Sequence, residues 1–365
     1  MRGSRPRAGR AGAAIVGVLV ALALLEIVVR LAIAPSPAQV LRGLHRATPD
    51  RPWLYELVPG EERRDASSPD VVYTINEAGF RDRSYPRTKP EDTFRVALIG
   101  DSVSFGYGVA LDATFAKQLE GRLRSLVTGP RYEVLNLGVS GYNPYTEAEL
   151  LRGVGLAYEP DLVLVQFCIN DLNDPTLHFD TSTMLALGDV PAAAFPDPDA
   201  RTARPAPLRD GRVTRLCDRS RLCSTLAGVL APATANEDLV AALAPHEAPS
   251  PAEIAWLERS YARMAEDTSA RGGTLAVVVF PWETQLAADA SATLQEQLRA
   301  LGERAGFLVI DLLPAFRRAA AEAGEPLFLD LWHPTQRGHQ VAAQEIFRAL
   351  ACARLLPAVT ARCDP

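Results

Sequence analysis

The chain has 365 residues, 48% of them hydrophobic, five cysteines and a formal net charge of −6. That length and apolar content suffice for one large domain or two smaller ones, each with a substantial core. The charge is negative and no long basic block lies outside the N-terminus, which argues against nucleic acid as a partner.

The N-terminus carries an address. Arg2, Arg5, Arg7 and Arg10 precede a charge-free apolar run from Ala11 to Leu25, continued by Ile27-Val28-Val29 and Leu31 to Ala34. Residues 1–12 read as a basic cytoplasmic tail, and residues 13–34 as a transmembrane anchor or signal segment. The run suffices for roughly 30 Å of hydrocarbon. The basic flank is expected to stay in the cytoplasm, which places the rest on the periplasmic or extracytoplasmic side. Ala32-Ile33-Ala34 offers a cleavage site, but Pro35 follows it, so an uncleaved anchor is favoured over a signal peptide. Glu26 and Arg30 interrupt the run at a spacing that allows them to pair on a helix.

Residues 35–93, rich in Pro, Arg, Asp and Glu, form a linker and N-terminal extension. Within it Val71 to Asn76 reads as a short strand and Asn76-Glu77-Ala78-Gly79-Phe80 as a turn. The segment is a spacer or a wall of the site, with packing favoured. From Phe94 strands and helices alternate. Arg95–Ile99, Tyr132–Leu137, Asp161–Phe167, Leu275–Phe280 and Phe307–Leu312 read as strands. Phe115–Leu126, Thr146–Leu156, Pro251–Ala270, Leu286–Ala305, Ala315–Ala323 and Thr335–Leu355 read as helices. That alternation argues for a parallel sheet covered on both faces, within a domain spanning 94–356 and followed by a tail, 357–365.

Residues 174–250 break the rhythm and read as an insertion over or beside the active-site face, with a short helix at Ser220–Leu230. Cys217 with Cys223, and Cys352 with Cys363, are close enough in sequence for local disulfides. Cys168, at the end of an apolar strand, reads as a buried free thiol. No C-x-x-C is present to support structural zinc.

The chemistry gathers at strand ends, where ligands collect in open parallel sheets. Gly100-Asp101-Ser102 closes the first strand, putting a hydroxyl where a nucleophile is useful. Acyl transfer then needs a base, a carboxylate to orient it, and donors for an oxyanion. Asp330 stands three residues before His333 on a loop that can fold the carboxylate back onto the imidazole. Asn136 to Asn143 and Cys168-Ile169-Asn170-Asp171 follow the second and third strands and can supply donors. Either Gly138 or Gly141 can serve. Asp101 is expected to bond within its loop and Asp171 to act in a network; His339 is expected to be structural. Trp282 and Glu283 either line the cleft or pack.

Four blocks in order, Gly100-Asp101-Ser102, Asn136 to Gly141, Asn170-Asp171 and Asp330-x-x-His333, resemble the SGNH (GDSL) hydrolase family over roughly residues 94–350. Cys168 stands where that family normally has Gly. The resemblance implies a flavodoxin-like three-layer α/β/α sandwich with a five-stranded parallel sheet. It also implies catalysis by Ser102, His333 and Asp330. Backbone N–H groups of Ser102 and Gly141 and the Asn170 side chain would form the oxyanion hole, with Asp101, Gly138 and Asp171 in support. No metal or organic cofactor is required. The expected function is a membrane-anchored serine esterase acting on a glycan or lipid ester. An O-acyltransferase for an envelope or secreted polysaccharide is the first alternative; the order Ser, Asp, His favours the hydrolase. A non-catalytic glycan-binding protein on the same fold is the second.

Overall fold

The computed structural model describes residues 7–32, residues 41–172 and 249–359 apart from isolated positions, and part of 220–226. Helix α1 (Arg7–Ala32) is the one helix among these that is long and apolar enough to cross a membrane; its window Ala14–Ala32 has mean hydropathy 2.6. The Arg30 guanidinium donates to Glu26 at 2.6 Å, as their spacing suggests. Two small antiparallel pairs follow, β1 (His45–Ala47) with β2 (Tyr55–Leu57) and β3 (Glu62–Arg64) with β4 (Val72–Thr74).

The main sheet is built from β5 (Thr93–Ile99), β6 (Arg131–Asn136), β7 (Leu162–Phe167), β8 (Thr274–Val279) and β9 (Leu308–Asp311). All neighbours are parallel and the order is β6-β5-β7-β8-β9. Between them run α2 (Ser102–Phe105), α3 (Phe115–Arg124), α4 (Pro144–Gly153), α5 (Pro251–Ser269), α6 (Thr293–Ala305), α7 (Leu313–Ala321) and α8 (Gln336–Cys352). Helices α3, α7 and α8 pack together, as do α4, α5 and α6, giving the three-layer α/β/α sandwich. Every residue of β7 is buried, which explains its near-continuous apolar run.

Local chemistry sets the helix starts. Asn143 caps α4 in a capping box with Thr146, and Pro144 fills the first turn. Ser250, Glu253 and Pro251 do the same for α5. The expected helix Leu286–Ala305 is corrected: α6 begins only at Thr293, after a single 3₁₀ turn at Glu283–Leu286. Ala287 is extended, and Gln285 reaches across to the Ser291 carbonyl and to Gln295, so the chain turns there.

Residues 41–93 are not a spacer. Leu44, Tyr55, Leu57, Tyr73 and Ile75 from this extension join the buried core. Most of the 174–250 insertion lies outside the described residues, as does most of its expected helix. Where it is described, Ser220 Oγ and the Leu222 amide donate to Glu26 on α1 at 2.8 and 3.0 Å. Cys168 is a buried free thiol. Cys223 and Cys352 are in disulfides whose partners lie outside the described residues.

Candidate active site

The first strand of the sheet has β6 on one side and β7 on the other, so the chain reverses its direction of travel across the sheet at β5. Such a switch point opens a crevice at the strand's carboxyl end. Ser102 sits there as the first residue of α2. Asp101 caps that helix, its Oδ1 accepting from the Val103 amide at 2.8 Å. From β7, Gln166 Oε1 accepts from the Asp101 amide (3.2 Å), the Ser104 amide (3.1 Å) and the Ser104 hydroxyl (2.9 Å). A buried amide in an otherwise apolar strand thus staples the turn.

The structure brings Ser102, His333 and Asp330 together. His333 Nε2 lies 2.8 Å from Ser102 Oγ, and Nδ1 lies 2.7 Å from Asp330 Oδ2. Asp330 Oδ1 also accepts from the amides of His333 and Trp332 at 2.9 and 3.1 Å, which folds the loop into the required shape. The loop is closed at its base by a bridge between Phe328 and Pro334. Burial pushes the Asp330 carboxyl up, but the hydrogen bonds and charge of His333 outweigh it, leaving Asp330 below the ordinary carboxylate range. With Nδ1–H donating to the carboxylate, Nε2 is free to accept the serine proton. The Tyr107 ring packs on the imidazole at 4.5 Å between centroids. Leu329, half exposed on the same loop, touches Gly108.

The two glycines have different tasks. The Gly138 amide donates to Asn136 Oδ1 at 3.0 Å, so it is not available to a ligand. A Cβ at Gly138 would lie 2.6 Å from Ser104 Cβ and 2.7 Å from the Phe105 amide, so this glycine lets the second loop abut the nucleophile turn. Gly141 has φ +81°, and the preceding Val139 amide ties its loop to the Gly100 carbonyl at 3.0 Å. Among the described residues, neither the Ser102 nor the Gly141 amide donates to a protein acceptor. Asn170 Nδ2 donates to Asp101 Oδ2 at 2.8 Å, which fixes the amide's orientation beside Ser102. Asp171 Oδ2 accepts from the Cys168 amide at 2.8 Å and shapes the same loop.

Other residues settle as packing. Trp282 is 2% exposed and belongs to the core. His339 is buried, stacked on Phe115, and Nδ1 accepts from the Phe115 amide at 3.2 Å. Burial, with Arg81 and His333 nearby, lowers it to about 3, so it stays neutral. Among the described residues, no three His, Cys, Asp or Glu side chains cluster as a metal site.

Several residues around the site come from the N-terminal extension, and spacing arguments do not find them. The Arg81 guanidinium is buried beneath the nucleophile turn. It donates to the carbonyls of Phe105 (3.0 Å), Gly106 (2.6 Å) and Val109 (2.7 Å), just past the end of α2. Asp82 accepts from Lys117 and from the Asn136 amide at 2.7 and 2.8 Å. The Tyr73 hydroxyl donates to Asp65 at 2.6 Å and accepts from the Gly108 amide at 2.9 Å. The Tyr55 hydroxyl donates to the Ser140 carbonyl at 3.1 Å.

The family model described as GDSL-like lipase/acylhydrolase matches residues 98–341. An acetylxylan esterase of Xylanibacter ruminicola is 32% identical over 124 residues, covering 32% of this chain and 24% of that protein. The chain thus spans about a quarter of the length of that curated relative. Among solved structures, a G-D-S-L-family lipolytic protein of Desulfitobacterium hafniense is 14% identical with a TM-score of 0.39, over 70% of this chain and 99% of that one. A catalytic mutant of an acetylxylan esterase from Geobacillus stearothermophilus is 14% identical with a TM-score of 0.44, over 74% and 97%.

Proposed function

The chain belongs to the GDSL-like lipase/acylhydrolase family, and on that premise we propose that it is a serine esterase that deacylates a glycan or lipid ester. The observation that carries the reading is the chain of contacts Ser102 Oγ, His333 Nε2, His333 Nδ1, Asp330 Oδ2, at 2.8 and 2.7 Å. His333 takes the Ser102 proton as Oγ attacks the ester carbonyl, then gives it to the departing alcohol. Asp330 keeps the imidazole in the tautomer this requires. The developing oxyanion is met by the Ser102 and Gly141 amides and the Asn170 side-chain amide, and water, deprotonated by His333, then releases the acid. The acetylxylan esterase relative makes a short acyl group on a polysaccharide the substrate to try first.

The same proposal includes the setting. Helix α1 serves as a membrane anchor with the basic N-terminus inside, which puts the catalytic domain outside the cytoplasm. The disulfides at Cys223 and Cys352 suit an oxidising compartment.

Turnover of p-nitrophenyl acetate by wild type and Ser102→Ala tests the activity. The expected result is loss of activity by a factor of roughly 10⁴ or more with an unchanged circular dichroism spectrum. Equal turnover by the two proteins would sink it. Product analysis on acetylated xylan in the presence of a free sugar acceptor gives acetate for a hydrolase and acylated sugar for a transferase.

A further inference from the structure

The contact between Tyr55 and the second loop bears on the oxyanion hole. The Tyr55 hydroxyl, fully buried, donates to the Ser140 carbonyl at 3.1 Å. No cis peptide occurs among the described residues, so the Ser140–Gly141 peptide is trans. In a trans peptide the carbonyl and the following N–H point in opposite directions. Whatever grips the Ser140 oxygen therefore sets where the Gly141 N–H points, and it points away from Tyr55.

Tyr55 is itself fixed. It lies on β2, paired with Ala47 of β1, and its backbone carbonyl accepts from the Tyr142 hydroxyl at 2.5 Å. The two rings meet edge to face, with centroids 4.9 Å apart and planes at 83°. On its other flank the loop is tied to the strand end bearing Ser102 by the Val139 amide and the Gly100 carbonyl. The Gly141 peptide is thus clamped between β5 and the N-terminal extension, with φ in the left-handed region that glycine tolerates.

We propose that Tyr55 is a positioning residue for the ester hydrolysis: its hydroxyl, through the Ser140 carbonyl, aims the Gly141 amide at the oxyanion. This rests on the esterase reading and on Gly141 as a donor. The extension is therefore a working part of the active site, contributing through a residue 47 positions upstream of Ser102 in the sequence. Losing a whole oxyanion donor costs about 10²–10³ in turnover, and a donor left in place but free to swing costs less, about tenfold.

Tyr55→Phe removes one oxygen and keeps the ring. The expected result on p-nitrophenyl acetate is a kcat about tenfold lower with KM within about twofold of wild type. Phenylboronic acid, whose tetrahedral adduct with Ser102 places an oxygen where the oxyanion forms, should bind weaker by a similar factor. Tyr132→Phe is the control, since it deletes a hydroxyl that likewise donates to a backbone carbonyl, that of Pro357, but at the amino end of β6, away from the Gly141 loop. Its expected effect is a lower melting temperature at unchanged kcat. A Tyr55→Phe enzyme with wild-type kcat, or equal kcat losses in both variants, would overturn the assignment. A wild-type protein inert toward the ester and the boronic acid removes the esterase reading and this one with it. Ser102-dependent activity that Tyr55→Phe leaves intact removes this one alone.

Discussion

Glu147 on α4 and Asp171 beside Asn170 are both fully buried, and among the described residues neither is paired with a cation. Neither Glu147 oxygen has a hydrogen-bond partner, nor has Asp171 Oδ1. Burial pushes the Glu147 carboxyl well up, with the Asp101 charge adding to it. Burial and the charges of Glu147 and Asp101 do the same to Asp171, against the Cys168 amide. The other titratable groups facing them are Cys168, Tyr55 and, from α5, Tyr261, all held protonated by burial. The pair therefore keeps protons that the unfolded chain releases above about pH 4. With more protons on the native state, stability is fullest below that pH and falls as pH rises toward the raised native values. Each retained proton contributes a slope of about 1.4 kcal/mol per pH unit. Glu147→Gln should flatten that fall, so that its melting temperature gains on wild type between pH 5 and pH 8. Parallel pH curves for the two proteins would refute the retained-proton account.

At the scale of elements, the strand ends were the legible part. Gly-Asp-Ser after an apolar strand and Asp-x-x-His before a capped helix are local patterns, and the Ser102, Asp330 and His333 groups do meet. Gly138 and Gly141 are not separable by spacing, because both are glycines in one loop; the Asn136 side chain separates them by bonding the Gly138 amide. Tyr55 and Arg81 were not legible at all. They bond backbone carbonyls 24 to 85 residues away, and a carbonyl carries no residue type to search for. Gln166 left a trace as the lone polar residue in β7. The start of α6 was missed because Gln285 and Gln295 pair only in three dimensions. Arg81 gives an element-scale prediction. Its planar fork serves three carbonyls at the end of α2, and a lysine ammonium is a poor substitute for that geometry. Arg81→Lys should cost about 1–3 kcal/mol in thermal or urea unfolding. It should also slow ester turnover several-fold per folded molecule. A stability loss with undiminished turnover would make Arg81 a core residue only.

For the whole molecule, the division that matters falls near residue 41 and not near residue 94. Leu41 is already in the core, and Tyr55, Tyr73 and Arg81 follow before the main sheet begins. A chain starting at residue 41 should stay soluble after ultracentrifugation of lysed cells and retain near full kcat. A chain starting at residue 94 should be insoluble or inactive, having lost those supports. Full activity in the shorter chain would refute the view that the extension belongs to the catalytic unit.

Helix α1 ends at Ala32 and the packed domain resumes at Leu41, with eight residues between them. Even drawn taut, eight residues bridge only about 28 Å. On the proposal that α1 lies in a bilayer, the catalytic domain would be leashed to a thin shell above the lipid and would patrol an area, not a volume. Esters carried on that surface would then be met at high local density, while those on distant polymers would have to be brought to it.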